Sequence, residues 1–313
     1  MTRASLKDLD RKDLDPSRVG RPPRSFHERR YMKGSQPSLS VATLTAAHLP
    51  QALTLSEALN WPYRLEDWQF ALQLGHGLAV AVQGRLCATA LWWLYEEAFA
   101  SCGMIIVSSA LQRQGIGGLL MEELLRQTQG RTIILRSTRE GRRLYERMGF
   151  SPYGEVNQHQ GILAAAPSQM TTADIRPFRA ADLPAVCQLD RRASGMGRAG
   201  LLEALVARGS MVVMERSGIL SGYACIRRWG RGVVIGPVVA GSTADAKALI
   251  EAHLPPQVGN FVRIDVPETS GLSPWLVEAG LSRVNQVTSM LRGDPLRTAA
   301  DATLFALSSQ SMG

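Results

Sequence analysis

Val107-Ser108-Ser109-Ala110-Leu111-Gln112-Arg113-Gln114-Gly115-Ile116-Gly117-Gly118-Leu119-Leu120 is the stretch on which the fold turns. It follows the apolar run 104–107, which reads as the end of a buried strand. A polar loop interrupts that run and leads directly into a helical pattern. Ile116, Leu119, Leu120 and Leu124 fall on one helical face. Gln112-x-x-Gly115-x-Gly117 is thereby placed on a strand-loop-helix junction. Glycine lets the backbone close tightly on a ligand there. The free N–H groups of a helix's first turn, with the helix dipole behind them, form a site for an anion such as a pyrophosphate. Neither the Gly-Lys-Ser/Thr of a Walker loop nor the Gly-x-Gly-x-x-Gly of a dinucleotide fingerprint is present in this loop.

Downstream, the pattern predicts a short β-rich run at 132–136, bounded by Gly130. Ser137-x-x-Glu140 has the form of a capping box for a second helix. Gly141-Arg142-Arg143-Leu144-Tyr145-Glu146-Arg147-Met148-Gly149-Phe150 follows, and Gly149 suits the left-handed stop of that helix. The loop resembles the acetyl-CoA loop of the GNAT acetyltransferases, Gln/Arg-x-x-Gly-x-Gly/Ala. The later segment resembles that family's Leu-Tyr-x-x-x-Gly-Phe hallmark, and the two occur in the family's order and spacing.

The resemblance implies an α/β fold with a mixed, mainly antiparallel sheet flanked by helices. It implies acetyl-CoA as acyl donor, with Val107 on the pantetheine arm. Around the phosphates it implies Gln112, Arg113, Gln114, Gly115, Ile116, Gly117 and Gly118. Tyr145 takes the position of the residue that reaches the cofactor's sulfur. A phenol of pKa about 10 can give a proton to a departing thiolate, so Tyr145 is the candidate general acid. Tyr145 also fits an apolar helix face with Leu144 and Met148. The general base is not legible. Glu96 and Glu97 follow a predicted strand, Asp67 and His76 precede another, and relatives of the family deprotonate the amine through water. Asp67 and Glu96 are the candidate acceptor contacts.

The chain has 313 residues, enough for two domains. No apolar run has the length of a membrane helix, and no hydrophobic segment marks a signal peptide. Cys87, Cys102, Cys187 and Cys225 have no Cys-x-x-Cys spacing. They read as free thiols of a cytoplasmic protein, and no metal is expected. The net charge is +8, and residues 1–39 hold ten Lys/Arg against five Asp/Glu. Rich in proline and poor in apolar residues, that tail is expected to be disordered. Acidic residues interleave its cations and no aromatic series accompanies them, so nucleic acid is not the expected partner. A start at Met32 is the other reading of the tail.

From 40 to 163 the pattern predicts a first strand at 41–44, helices at 46–59 and 65–74, and a hairpin of 77–83 with 85–95 about Gly84. In the family the region between the first two helices walls the acceptor site; here that wall holds Trp61, Tyr63, Arg64, Asp67 and Trp68. A Trp-anchored core corner is the competing reading. After a linker at 164–172 the plan repeats over 173–293, before an extension at 294–313. The pattern there predicts strands at 175–177, 210–216, 222–228, 232–239 and 261–266, and helices at 182–191, 244–254 and 274–279.

The segment 232–240 is similar to the C-terminal domain of tandem GNAT proteins. The repeat lacks the loop motif, having Gly241-Ser242-Thr243-Ala244-Asp245 instead, and Leu276 stands where Tyr145 stands if Gly280 is set opposite Gly149. A side chain with no proton to give cannot be the acid. The expectation is two GNAT-like domains in tandem, the first active and the second degenerate. The acceptor is expected to be a small-molecule or peptide amine. Open alternatives are a longer acyl-CoA, a hydroxyl acceptor, or a non-catalytic acyl-CoA-binding module that regulates a partner.

Overall fold

The computed structural model describes residues 29–31, 39–165 and 174–313. The expected linker after residue 165 and most of the expected tail, Met32 included, lie outside the described residues. The first half runs β1 (Arg29–Tyr31), β2 (Leu39–Thr43), α1 (Leu49–Glu57), α2 (Leu65–Leu74), β3 (His76–Val82), β4 (Arg85–Tyr95) and β5 (Phe99–Val107). It continues through α3 (Ile116–Gln127), β6 (Thr132–Ser137), α4 (Arg142–Arg147) and β7 (Ser151–Ile162). The second half repeats this plan as β8 (Ile175–Pro177), α5 (Leu183–Ser194), α6 (Ala199–Arg208), β9 (Gly209–Arg216), β10 (Ile219–Trp229) and β11 (Gly232–Ala240). It ends with α7 (Thr243–Glu251), β12 (Phe261–Pro267), α8 (Ser273–Glu278), β13 (Ser282–Arg292) and β14 (Thr303–Ala306).

Local chemistry accounts for most of these elements. Gln83 and Gly84 both have positive φ, the two-residue turn that matches the twist of the β3–β4 hairpin, and Ser217 with Gly218 does the same for β9–β10. Gly149 and Gly280 stop α4 and α8 at φ of 84° and 86°. Four expectations are corrected. Ser137 is the last residue of β6, and its hydroxyl donates to the Thr138 carbonyl. The capping box is therefore absent, and α4 starts later, from Gly141, with no side-chain cap. The helix expected at 46–59 is a 3-10 turn at Ala46–His48 followed by α1, with a proline in the first helical turn. Within the tail, Arg29–Tyr31 pairs antiparallel with β2, because a backbone ladder on an open edge does not require an apolar sequence. Finally α6, β7, β13 and β14 had no counterpart among the sequence-derived elements.

The last strands of the two halves are exchanged. The sheet order is β1-β2-β3-β4-β5-β6-β13-β7-β12-β11-β10-β9-β8. β13 inserts between β6 and β7, and β7 inserts between β13 and β12, so each half completes its sheet with a strand of the other. A shared core backs this join. It holds Trp68, Phe70 and Trp93 of the first half against Leu202, Tyr223 and Trp229 of the second. Separate cores lie beneath α3 in the first half, with Leu120, Met121 and Leu124, and beneath α7 and α8 in the second, with Leu249, Ile250 and Leu276.

His253 follows α7 and is buried, with Nε2 at 3.0 Å from the Ala224 carbonyl. Burial holds its pKa below the ordinary 6.5. The unfolded chain then binds a proton that the folded chain refuses, so stability is present above pH 6.5 and is lost as pH falls through that value. One such group accounts for up to about 1.4 kcal/mol per pH unit in this window. Melting curves should show His253→Gln losing less stability than wild type between neutral and mildly acidic pH. Parallel curves would show that His253 does not contribute.

Candidate active site

The site is built where β5 leaves β6. The two strands pair in parallel from Phe99↔Thr132 to Cys102↔Leu135 and no further. Met104 then takes a φ of 50°, and the β4–β5 register shifts between Thr89 and Leu91. This is a bulge, and bulges bend a strand away from its neighbour. The Thr89 hydroxyl donates to the Met104 carbonyl at 2.9 Å and fixes it. From there, among the described residues, β5 pairs with β4 alone, as far as Val107, so its other edge can bond an extended ligand.

Val107 ends that edge, and the predicted loop starts from it. The Gln112 amide donates to the Val107 carbonyl at 3.2 Å, and Gln114 to the Ala110 carbonyl at 3.4 Å. Residues 112–115 are exposed. Arg113 has a φ of 62° and Gly115 a φ of 86°. Gly115 is the N-cap of α3, with no side-chain cap, and a Cβ built on it meets nothing within 4 Å. The intrahelical bonds begin with the Leu119 amide to the Gly115 carbonyl, which leaves the amides of Ile116, Gly117 and Gly118 at the open helix start. An uncapped N-terminus, open space and left-handed backbone at two positions fit a pyrophosphate.

Three contacts bring the parts together. A Cβ on Gly117 would lie 3.2 Å from Leu144 Cδ2 and 3.9 Å from Val107 Cγ2, and one on Gly118 would lie 3.8 Å from Met148 Cε. The loop, the β5 edge and α4 therefore meet at one place. On α4, Tyr145 is 8% exposed, edge-on to Phe150 at 6.1 Å. Its ring covers Gly141, where a Cβ would come within 2.9 Å of it. Burial, with a smaller contribution from the neighbouring Cys102, pushes the Tyr145 hydroxyl well above the ordinary phenol value. The neutral, proton-bearing form is thus the resident one. Cys102, the last β5 residue paired with β6, belongs to the same buried cluster as Tyr145.

Asp67 and Glu96 are engaged elsewhere. The Asp67 carboxylate accepts from the Arg64 amide at 2.9 Å, from its guanidinium at 2.7 Å, and from the Gly230 amide of the second half at 2.8 Å. It caps α2 and latches the two halves. Glu96 sits in the β4–β5 turn, at the end of β5 opposite Val107, and pairs with Arg191 at 2.9 Å. His76 stacks on Trp92. Trp68 is fully buried, with its indole N–H on Ser56 Oγ, and Tyr63 packs edge-on to Trp61, Trp68 and Trp229. The aromatic corner is therefore core that joins the halves. No group of three or more His, Cys, Asp or Glu suited to a metal occurs among the described residues, and no helix among them is long and apolar enough to cross a membrane.

The opposite face of the splayed strand meets residues that sequence reasoning did not reach. A Cβ on Gly103 would lie 2.6 Å from the Ser311 side chain, so this glycine admits the segment 308–313. The Tyr95 hydroxyl donates to the Met312 carbonyl and accepts from Ser101 Oγ. A glycine inside an apolar strand was the one available signal of such a close approach.

The corresponding place in the second half is closed. β11 and β12 pair in parallel only at Val233↔Val262 and Val234↔Arg263. Beyond them β14 lies antiparallel on β11 and fills the gap, with the Leu307 amide donating to the Asp265 carbonyl at 2.9 Å. The start of α7 is occupied by its own side chains. Ser242 Oγ accepts from the Asp245 amide, and the Asp245 carboxylate accepts from Ser242 Oγ and from Arg216 at 2.7 Å. Leu276 holds the backbone position equivalent to Tyr145: the Leu281 amide bonds the Leu276 carbonyl as the Phe150 amide bonds that of Tyr145.

Comparisons with known proteins agree with this geometry. An acetyltransferase (GNAT) domain family matches residues 74–152, and another of the same description matches residues 186–306. The chain is 27% identical over 274 residues to the uncharacterized N-acetyltransferase YitH of Bacillus subtilis (strain 168), covering 85% of this chain and 95% of that protein. In fold it is similar to a putative acetyltransferase from Pyrococcus horikoshii, with a TM-score of 0.76 at 20% identity over 93% of this chain and all of that one. It is also similar to a tandem GNAT protein from the clavulanic acid biosynthesis pathway, with a TM-score of 0.57 at 16% identity over 82% of this chain and 99% of that one. The chain belongs to the GNAT acetyltransferases and carries two GNAT domains in tandem.

Proposed function

We propose that the first half transfers an acetyl group from acetyl-CoA to the amine of a small molecule or peptide, and that the second half is a degenerate copy that takes no acyl-CoA. The observation that carries this is the pairing of an uncapped α3 start with an open β5 edge in the first half, against a capped α7 start and a β14-filled edge in the second. When bound, acetyl-CoA supplies the thioester carbonyl that the amine attacks. The amides of Ile116, Gly117 and Gly118, with residues 112–115, hold its phosphates. The free edge of β5 from the bulge to Val107 orients the extended arm by backbone hydrogen bonds. Tyr145 holds a proton at its Oη for the departing thiolate. With Asp67 fully engaged and Glu96 paired to Arg191, the amine loses its proton to water rather than to either carboxylate.

The test is thiol release from acetyl-CoA across an amine panel, with products identified by mass. Acetylated amine is the expected result; acetyl-CoA binding with no transfer to any amine or hydroxyl would instead make the chain an acyl-CoA-binding module. The asymmetry predicts one acetyl-CoA per chain by calorimetric titration. Saturation at two equal sites would overturn the degenerate reading of the second half.

A further inference from the structure

A pocket lies between the first turns of α2 and the end of β10, lined by Arg64, Glu66, Asp67, Phe70, Arg208, Arg227, Arg228 and Trp229. Its charges do not cancel. Arg64 is committed to Asp67 at 2.7 Å, and Glu66 is exposed at the rim. Arg208 lies over Phe70 at 5.4 Å and donates to Gln73, which carries no charge. Arg228 is exposed.

Arg227 is the unusual member. It is 4% exposed, stacked 4.7 Å from the Trp229 ring centre, with one nitrogen on the Ser308 carbonyl at 2.9 Å. Its Nε and Nη1 are buried and have no hydrogen-bond partner among the described residues. No carboxylate forms an ion pair with it among the described residues, where Arg198 and Arg263 pair with Asp190 and Asp265; Arg136 also has buried, unbonded Nε and Nη1 but does not line this pocket. Asp67 and Asp265 act on it through space without bonding to it; a buried cation with no hydrogen-bonded counter-ion is costly, and stacking on aromatic faces offsets only part of that cost. Burial draws its pKa down to about 10, which still leaves it charged at neutral pH.

We infer that this pocket binds an anionic group, a carboxylate or phosphate, carried by the acceptor, with Arg227 as its floor and Arg208 and Arg228 as its rim. The inference rests on the acyl-transfer reading above. Asp67 lies in the first turn of α2 and accepts from the Gly230 amide at 2.8 Å, so the pocket sits on the join of the two halves. Segment 308–313 joins the two places, since Ser308 is bonded by Arg227 while Ser311 rests against Gly103 of the splayed strand. Three residues of chain span at most about 10 Å, and this segment is folded into a turn, so the separation is one that a small amino acid-like or aminophosphate acceptor can approach.

Two measurements separate the pocket from the reaction. The first is thermal melting of the full chain with glutarate, inorganic phosphate or chloride at matched ionic strength. A rise in Tm with glutarate or phosphate and not with chloride is expected, and whichever gives the larger rise identifies the group. Arg208→Glu and Arg228→Glu, both at exposed positions that the fold tolerates, should abolish the rise. No rise in wild type, or an equal rise in both variants, overturns the anion site whatever the enzyme's activity. The second compares acetylation of 5-aminopentanoate with pentylamine, and of phosphoethanolamine with ethanolamine. At least one anionic member should show a KM at least tenfold below that of its neutral partner, and the ratio should fall toward one in Arg228→Glu. Equal KM values within both pairs, in an enzyme that acetylates them, would overturn the assignment of the pocket to the acceptor. If none of the four amines is acetylated while the melting shift stands, the failure belongs to the acyl-transfer reading and not to the anion site.

Discussion

Tyr145→Phe should lower turnover by about 10²–10⁴-fold, the usual span for loss of a general acid, with acetyl-CoA affinity nearly unchanged. The substitution keeps the ring that packs edge-on to Phe150 and covers Gly141, so the fold around α4 is preserved. It removes one hydroxyl, held in its neutral form by burial. The phosphates are held by the loop and the start of α3, which the substitution does not touch. Steady-state rates and a melting curve on the same variant make the test. A folded variant with near-normal turnover, and a stability change of roughly 1 kcal/mol or less, would reduce Tyr145 to a packing residue. The pH profile adds a check on sign. Because its folded pKa is raised, Tyr145 stays protonated through the ordinary phenol value, so its ionisation should produce no fall in rate as pH approaches about 10.

Gly117→Glu should remove acetyl-CoA binding, by about a hundredfold or more. Gly117 lies in the first turn of α3, and a Cβ there already approaches Leu144 Cδ2 at 3.2 Å, so a longer side chain has only the ligand's space to enter. A carboxylate in that space meets a pyrophosphate, and like charges brought together cost several kcal/mol. The same carboxylate favours the helix dipole, so the variant should fold. Calorimetry reporting unchanged affinity in a folded Gly117→Glu protein would remove the phosphate site from this loop. Gly115 makes a sharper local point. Its φ of 86° is one that side chains rarely adopt, so even Gly115→Ala should strain the turn that presents the α3 amides.

The elements that local sequence could specify were legible. Residues 65–74 were read as a helix and form α2, and the turn at Gly84 and the stops at Gly149 and Gly280 follow from glycine's access to positive φ. The Gln112-to-Gly117 loop and the Leu144-to-Phe150 segment meet in space because each is short, self-contained and tied to a neighbouring strand. The chemistry proposed for them came from the family resemblance that these two motifs carry. Leu276 opposite Tyr145 and Asp245 at the α7 start likewise pointed to a second half unlike the first.

The strands β7 and β13 could not be read in this way. Ser151–Ile162 and Ser282–Arg292 are polar and weakly alternating, and they become strands because each is gripped on both edges by strands of the other half. β-structure of that kind depends on its partners more than on its own residues. Position in space also decided the carboxylates. Asp67 looked available in the chain, yet the Gly230 amide, 163 residues away, completes its hydrogen bonding. The filling of the second cleft by β14, the approach of Ser311 to Gly103, and the isolation of the Arg227 guanidinium are all contacts between segments remote in sequence. The sequence by itself determined the local turns and carried the two motifs on which the family resemblance rests, because these depend on residues a few positions apart. Only the tertiary structure decided which of two similar clefts is open and which charges are left without partners, because burial and pairing are properties of the assembled sheet.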